Sequence, residues 1–386
     1  LMKNIDANDK VRILLAQALF GDPDIILLDE PTNDLDIKTI AWLENFLADF
    51  QNTVIVVSHD RHFLDMVCTH VCDIDFKKIN TFTGNYSFWY QASQLASRQR
   101  ADKNKKAEQK KEELLDFIRR FSANASKSKQ ATSRKKALEK INIEDIQPSS
   151  RRYPAIIFNQ IREAGNQIVE VENLASSNEH NLLFSDISFQ VNKGDKIAIL
   201  SEDSLAVKQF YEILSGERTA DKGEYKWGQT VTHAYLPSIN DKYFTDSLDL
   251  VDWLRQYSDD KDQNYIRGFL GKMLFSGDDV FKKSSVLSGG EKVRCMLSRM
   301  MLQQGNVLLL EEPTGHLDLE AITSLNEGLI DFKGTMLFTS QDHEFTNTIA
   351  NRIVEITPKG IIDKLMTYDE YITNEKILAL REQLYS

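Results

Sequence analysis

Residues 25–36 read IILLDEPTNDLD, and the same pattern returns as VLLLEEPTGHLD at residues 307–318. The repeat offset, which carries Ile25 onto Val307, holds further along the chain, where it brings VVSHD (56–60) onto FTSQD (338–342). Similarity of a chain to itself at a fixed offset indicates a repeated structural unit. The chain therefore contains two copies of one domain. Because the first copy begins so close to these strings, we interpret it as lacking its natural N-terminal part.

Both copies carry the alternation of helices and strands that is typical of an α/β domain. In the first copy, RILLAQALF (12–20) predicts a helix and the apolar IILLD (25–29) predicts a buried strand. A further helix, IKTIAWLENFLADF (37–50), and a second buried strand, TVIVVS (53–58), follow. Strands that are apolar on both faces and alternate with helices indicate a mostly parallel sheet.

The two copies are separated by a stretch of different composition. Residues 92–142 contain fifteen Lys and Arg against six Asp and Glu, and they are nearly free of Gly and Pro. We predict two helices here, around the polar tip SANASKSKQATS (122–133). The predicted organisation is a first domain at 1–91, a basic helical linker at 92–150 and a second domain at 151–386.

The composition excludes several classes of protein. The chain of 386 residues is 41% hydrophobic and 27% charged, which rules out a collagen-like or wholly disordered protein. Three cysteines are too few for a disulfide framework and favour a reducing compartment, so we expect a cytoplasmic protein. No apolar run approaches the roughly 18 residues of a membrane-spanning helix. We therefore expect no membrane segment.

Two consecutive acids close the first buried strand. Asp29 and Glu30 are expected at the carboxyl edge of the sheet, where open α/β folds bind ligands. Since neighbouring side chains on a strand point in opposite directions, the two acids can do separate work. Asp29 is suited to hold the hydrated magnesium ion of a nucleotide, and Glu30 to polarise a water molecule aimed at the terminal phosphate. His59, which follows the second buried strand, is expected to touch the same phosphate.

These strings resemble the motifs of a known family. LLDEPTNDLD, LSGGEKVR and VVSHDRHF look like the Walker B, signature and switch motifs of ATP-binding-cassette ATPases, which have a P-loop NTPase fold. The basic insert RRFSANASKSKQATSR between two cassettes resembles the linker of the ABC-F family. The resemblance implies two cassettes that pair within one chain over ATP, joined by an α-helical hairpin and without a membrane domain. It also implies action on the ribosome, with the hairpin reaching towards transfer RNA.

In that family each ATP lies between the phosphate-binding loop of one cassette and the signature of the other, so the motifs are compared crosswise. One composite site keeps its residues. The resemblance assigns Mg²⁺ to Asp29, and catalysis to Glu30 and His59. It assigns ATP contacts to a larger set from both copies, namely Asn33, Asp36, Ser288, Gly289, Gly290 and Glu291. Serine and glycines at a helix start offer backbone N–H groups to a phosphate.

The opposite composite site departs from the family pattern. Where a phosphate-binding loop should follow the strand KIAIL, the second copy reads SEDSLAVKQF (201–210), with no glycine. A cradle of N–H groups needs glycine for its backbone angles, and Val207 stands where the phosphate-binding lysine is expected. Lys208 is one place out of register. The remaining departures are Glu311 for the magnesium-binding Asp, Gln341 for the switch His, Asn178 for an aromatic, Pro237 for a glutamine, and Asp6, Ala7 and Asn8 for the signature Ser, Gly, Gly. We expect a single hydrolytic centre.

The linker has a charge opposite to that of the whole chain. Its residues 92–142 carry +9, whereas the complete chain carries −11. A basic segment within an acidic protein is typical of a nucleic-acid contact, although a solvated helical hairpin has the same composition. The resemblance favours ribosomal and transfer RNA. The candidate RNA contacts are Arg119, Arg120, Lys127, Lys129, Arg134, Lys135 and Lys136.

Three functions remain open at this point. The first is an ATP-dependent translation factor on the ribosome. The second is the motor subunit of a membrane transporter, which the same cassettes serve but which has no evident use for the basic linker. The third is a non-hydrolysing ribosome- or RNA-binding scaffold, which the degenerate second copy keeps open.

Overall fold

The computed structural model describes residues 7–21, 23–32, 35, 37–75, 78–121, 133, 151–178 and 181–385. These residues form two compact units. One unit comprises the chain up to His62 together with everything from Arg152 onward, and the other comprises Phe63–Arg151. The first unit therefore contains the repeated strand–helix–strand segment of both copies.

The first copy has the order of elements that the sequence predicts. They are α1 (Ala7–Leu19), β1 (Ile25–Asp29), α2 (Ile37–Asp49) and β2 (Thr53–Val57). Strands β1 and β2 pair in parallel, and their register places Asp29 opposite Val57. The carboxyl ends of both strands therefore lie at one edge of the sheet.

The second unit consists of an antiparallel hairpin and one long helix, and α3 leads into it. The elements are α3 (Arg61–Val67), β3 (His70–Asp75), β4 (Lys78–Thr83) and α4 (Tyr86–Phe121). Helix α4 has 36 residues, which corresponds to roughly 54 Å at 1.5 Å per residue. It begins at Tyr86, six residues before the predicted linker. The rings of Tyr86 and Trp89 pack against each other in its first turn. The predicted second helix of the hairpin lies outside the described residues.

The second copy contains a larger set of elements. They are β5 (Gln167–Asn178), β6 (Asn181–Asn192), β7 (Lys196–Leu200), α5 (Ser204–Leu214), β8 (Lys222–Trp227), β9 (His233–Leu236), α6 (Leu250–Arg255), α7 (Gln263–Lys272), α8 (Gly289–Gln303), β10 (Val307–Glu311), α9 (Leu319–Asp331), β11 (Thr335–Thr339), α10 (His343–Ile349), β12 (Arg352–Thr357), β13 (Gly360–Lys364), α11 (Tyr368–Thr373) and α12 (Glu375–Tyr385). Six strands form one sheet in the order β13-β12-β7-β11-β10-β9, which is parallel except for β13. Strands β6, β5 and β8 form a separate antiparallel sheet.

The parallel sheet of the second copy is buried on both faces. In β10, Leu308 and Leu310 face a core built mainly with helices α6 to α9, whereas Val307 and Leu309 face the antiparallel sheet and α5. This confirms the prediction of strands that are apolar on both sides. The repeat offset also survives in three dimensions, because β10 pairs with β11 in the register with which β1 pairs with β2.

In the first copy, β1 is buried on one face only, and β2 is half-buried on one face and exposed on the other. Ile26 and Leu28 are buried, whereas Ile25 and Leu27 are 60% and 71% exposed. The sequence predicted burial on both faces, and that prediction is wrong for the described residues. The physical reason is that α5 and the antiparallel sheet cover this face in the second copy, and the described residues contain no second set of those elements.

Candidate functional site

The carboxyl edge of the β1–β2 sheet brings Glu30 and His59 together. The Glu30 N–H donates to the Val57 carbonyl at 2.8 Å, which fixes the residue directly after β1 against the end of β2. The Glu30 carboxylate then accepts the His59 backbone N–H at 3.2 Å. The His59 ring nitrogen Nε2 lies 3.4 Å from the other carboxylate oxygen. The predicted catalytic acid and switch histidine are thus direct neighbours.

The backbone at Glu30 is unusual, and it sets the direction of the side chain. Glu30 has a φ of 46°, and its counterpart Glu312 in the second copy has the same value. Positive φ is uncommon outside glycine and often marks functional turns. The expectation that strand alternation separates Asp29 from Glu30 is wrong, because β1 ends at Asp29. The left-handed turn, rather than the pleat, therefore aims Glu30 at His59.

Asp29 can supply one ligand of a magnesium ion, but not a complete site. It is the last residue of β1 and is exposed to solvent. The described residues contain no cluster of three or more His, Cys, Asp or Glu side chains able to hold a metal. Mg²⁺ in nucleotide sites usually takes one or two carboxylates and completes its shell with phosphate oxygens and water. Asp29 fits that role, whereas Asn33 and Asp36 lie outside the described residues.

The predicted signature forms the start of α8. Ser288 is the N-cap: its hydroxyl accepts the Glu291 N–H at 3.4 Å, and the Glu291 carboxylate accepts the Ser288 N–H at 2.9 Å. Burial acts to raise the pKa of Glu291, but the bonds from Ser288 and Lys282 outweigh it and hold that pKa below its ordinary value. The first N–H groups of a helix have no partner within the helix. Those of Gly289 and Gly290 are therefore oriented to receive an outside acceptor.

Glycine at the signature has a packing reason that the sequence did not reveal. A Cβ atom on Gly289 would lie 3.1 Å from the His316 ring, and one on Gly290 would lie 2.5 Å from the His316 carbonyl oxygen. The turn thus packs directly on the loop 314–318 of its own copy. The opposing signature of the first copy is only partly visible, because Asp6 lies outside the described residues and α1 starts at Ala7.

In the second copy, residues 201–210 stand where the phosphate-binding loop is expected, and several of their N–H groups are hydrogen-bonded to other protein atoms. The Asp203 carboxylate caps α5 by accepting the Leu205 N–H at 2.8 Å, and its carbonyl accepts those of Ala206 and Val207. The Glu202 N–H donates to the Tyr385 hydroxyl of α12 at 3.0 Å. The N–H groups of Glu202 and Leu205 are therefore bonded to side chains of the protein.

The acid at the magnesium position of the second copy is also engaged within the protein. Glu311 is 4% exposed, and its carboxylate accepts hydrogen bonds from Tyr235 at 2.9 Å and Ser238 at 2.6 Å. Burial and the neighbouring Glu311 raise the pKa of Tyr235, which remains a donor. Lys208 lies 4.0 Å from Glu212, beside a pocket of about 120 Å³ that Glu311 also lines. The cation nearest the expected lysine position is thus paired with an acid of its own helix.

Glu312 keeps the main-chain geometry of Glu30 without its histidine. Its carboxylate accepts the Gln341 N–H at 3.1 Å, as Glu30 accepts that of His59. Burial raises the pKa of Glu312 to about 7, against the opposing effects of the Gln341 and Thr339 hydrogen bonds. The two copies thus share a backbone frame and differ in the side chains that complete it.

Only one of the predicted RNA contacts has a described side chain. Arg119 is exposed on α4 and pairs with Asp116 one turn earlier. Arg120 belongs to the same helix, but its side chain is not described. The other five, Lys127, Lys129, Arg134, Lys135 and Lys136, lie outside the described residues.

Sequence reasoning missed two contributors to the site region. Arg61, the first residue of α3, donates from its guanidinium to Leu319 and Thr323 in α9. Tyr385 closes the Asp203 segment from the far end of the chain. Each contact joins residues that are far apart in the sequence, so no local sequence pattern predicts it. The Asp203 cap, in contrast, was readable as an acid directly before an apolar helix.

Comparisons with known proteins place these features in a family. A family described as ABC transporter matches residues 184–315, and a second one with the same description matches residues 72–158. YkpA of Bacillus subtilis, described as an uncharacterized ABC transporter ATP-binding protein, is 57% identical over all of this chain and 72% of its own length. ABC transporter F family member 2 of Arabidopsis thaliana is 31% identical over 99% of this chain and 57% of its own length. The chain belongs to the ABC-F family of ATP-binding-cassette proteins.

A further relative and a solved structure extend the comparison. The energy-dependent translational throttle protein EttA of Escherichia coli K12 is 32% identical over 95% of this chain and 67% of its own length. The archaeal ribosome recycling factor aABCE1, solved with a ribosomal stalk protein, matches with a TM-score of 0.63. That match covers 98% of this chain and 67% of aABCE1 at 17% identity, and it supports the P-loop NTPase fold of the cassettes. No helix among the described residues is both long and apolar enough to cross a membrane.

Proposed function

We propose that this ABC-F protein is an ATPase with a single hydrolytic centre, which works in the cytoplasm as an ATP-dependent translation factor on the ribosome. The centre combines Asp29, Glu30 and His59 of the first copy with the turn 288–291 of the second. The observation that supports it is the contrast between the copies. Glu30 lies beside the His59 ring, whereas its counterpart Glu312 has Gln341 there, and the Asp203 and Glu311 carboxylates of the second copy are bonded to its own groups.

Each residue of the centre has a distinct task. The Glu30 carboxylate, held by the His59 N–H, is the base that takes a proton from the attacking water. The His59 ring donates to the terminal phosphate and registers its loss. The N–H groups of Gly289 and Gly290 bind phosphate oxygens at the positive end of α8. Mg²⁺ at Asp29 would neutralise phosphate charge during transfer.

Paired substitutions in the complete protein test the single centre. Glu30→Gln should lower ATP turnover by about 10²–10⁴-fold, because it removes the general base while preserving the shape of the side chain. It should also retain ATP in the closed form. Glu312→Gln, the matched change at the same position of the second copy, should leave turnover nearly unchanged. Equal losses from the two substitutions, or two ATP hydrolysed per cycle, would contradict the proposal.

The ribosomal partner rests on the basic linker and on the relative EttA, whose name describes a translational throttle. Contacts to RNA phosphates release counterions, so the association should weaken steeply with salt. Neutralising Lys127, Lys129 and Arg134 together should reduce co-sedimentation with ribosomes at physiological salt. Unchanged sedimentation would remove the linker from the interface.

Two other functions predict different outcomes of the same experiments. A transporter motor would sediment with membranes rather than ribosomes. A scaffold without turnover would bind ribosomes, and its Glu30→Gln variant would behave like the wild type. The His59 ring beside Glu30 favours the enzyme, because the second copy has the same oriented carboxylate at Glu312 but Gln341 in place of the histidine.

A further inference from the structure

Arg61 connects the two copies next to the proposed centre. It lies two residues after His59, and its guanidinium donates to the Thr323 hydroxyl and, at 3.4 Å, to the Leu319 carbonyl. Both acceptors belong to α9 of the second copy. Arg61 is partly buried, so these contacts are shielded from solvent. Both bonds come from the same guanidinium nitrogen, Nη2, whose two N–H groups can serve two acceptors at once.

Arg61 contacts the first turns of α9, directly after the loop against which the signature turn packs. Leu319 is the first residue of α9, and its N-cap Asp318 ends the loop 314–318. His316 of that loop is the residue against which Gly289 and Gly290 pack. His59 is therefore joined along the chain to Arg61, and Arg61 is joined through α9 and the loop 314–318 to the signature turn.

The surroundings of Arg61 strengthen this contact. The next residue, His62, stacks its ring on His343 of the second copy, with ring centres 4.3 Å apart and planes at 23°. Burial raises the pKa of the nearby Asp342 to about 6, and the positive charge of Arg61 acts against that rise. The repeat offset relates Arg61 to His343. The segments that follow His59 and its counterpart Gln341 are thus in contact, through the rings of His62 and His343.

We propose that Arg61 is a positioning residue that sets the separation between the Glu30–His59 half and the Ser288–Gly290 half of the ATP site. The inference rests on the proposed single centre, and it adds how the two halves are held in register. Arg61 touches neither reacting group directly. It acts through α9 and the loop 314–318.

Steady-state kinetics of the complete protein test this role. Arg61→Ala should lower kcat about tenfold and change the KM for ATP by less than about threefold, because the assembled arrangement becomes rarer while phosphate contacts of the first copy remain. Arg61→Lys should recover part of kcat, since it keeps the charge and three N–H donors on one nitrogen but has a different length and geometry. Thr323→Val should lower kcat as well. The double variant should be no worse than Arg61→Ala alone, because both changes break one contact.

Matched controls come from the second copy. Arg218→Ala removes a guanidinium bond to the Ser177 carbonyl, also at 3.4 Å, and Thr348→Val removes a helical threonine hydroxyl bonded to Asn326. Neither contact reaches the first copy, so kcat should stay at the wild-type level. Losses in these controls as large as those of Arg61→Ala would overturn the positioning role, as would multiplicative losses in the Arg61→Ala/Thr323→Val double variant.

Amide hydrogen exchange separates failure of this inference from failure of the proposed function. Without nucleotide, Arg61→Ala should speed exchange in peptides covering 317–323, and Arg218→Ala should not. Unchanged exchange there would overturn the role of Arg61, whatever the activity. If the wild type hydrolyses no ATP, the proposed function fails, and the exchange result alone decides whether Arg61 joins the two copies.

Discussion

Replacing Glu312 by Gln should stabilise the protein at alkaline pH. Burial raises the pKa of Glu312 from 4.5 to about 7, so the folded protein binds this proton more tightly than the unfolded chain does. The resulting stabilisation is complete below pH 4.5 and is lost as the pH rises through 7. A difference of about 2.5 pH units corresponds to roughly 3 kcal/mol. A Gln side chain keeps the acceptor for the Gln341 N–H and is neutral at every pH.

Urea denaturation followed by tryptophan fluorescence measures the effect. The free energy of unfolding of Glu312→Gln relative to the wild type should rise by about 2–3 kcal/mol between pH 5 and pH 8. Glu224→Gln, an exposed change on β8, gives the background from removing a carboxylate charge. If Glu312→Gln lowers stability at pH 8, or if its effect is the same at both pH values, the carboxyl is not held in a site that disfavours its charge.

Two further changes test other parts of the second copy. Asp203→Ala should cost about 1 kcal/mol in urea denaturation, because it removes the N-cap of α5. It should not create an ATP site detectable with a fluorescent nucleotide, because the glycines and the lysine are still missing and Tyr385 still holds the Glu202 N–H. A new site with the affinity of an intact cassette would show that Asp203 alone blocks nucleotide. Gly290→Ala should lower kcat of the complete protein strongly, because its methyl group would lie 2.5 Å from the His316 carbonyl oxygen. Wild-type turnover in Gly290→Ala would show that the signature turn tolerates displacement from the loop 314–318.

Much of the architecture was predictable because it is periodic. Short stretches of consecutive residues show the repeat offset, the apolar runs at 25–29 and 307–311, and the strand-end position of Glu30. They led to the α/β class and to the neighbouring placement of Glu30 and His59. The long helix α4 was also predicted, although its start at Tyr86 was missed because the prediction followed charge composition rather than aromatic packing.

The features that could not be predicted from the sequence are mostly contacts between residues far apart in the chain. The contacts of Arg61 with α9 and of Tyr385 with Glu202 join distant segments, and they arise only when the strands have assembled. The positive φ of Glu30 has no sequence signal either, since glutamate rarely adopts it. The exposed face of β1 was missed because burial depends on which elements are there to cover it.

If the second copy has no nucleotide chemistry, as proposed, the contacts of its residues 201–210 would make that loss hard to reverse in evolution. Val207 is 7% exposed within an apolar cluster, so a lone Val207→Lys change would force an ammonium group into the core instead of restoring a phosphate ligand. Asp203 would still cap the helix, and Tyr385 would still hold the Glu202 N–H. Under the proposal, recovery would require several substitutions at once, none of them advantageous alone, so the asymmetry of the two cassettes would persist once it arose.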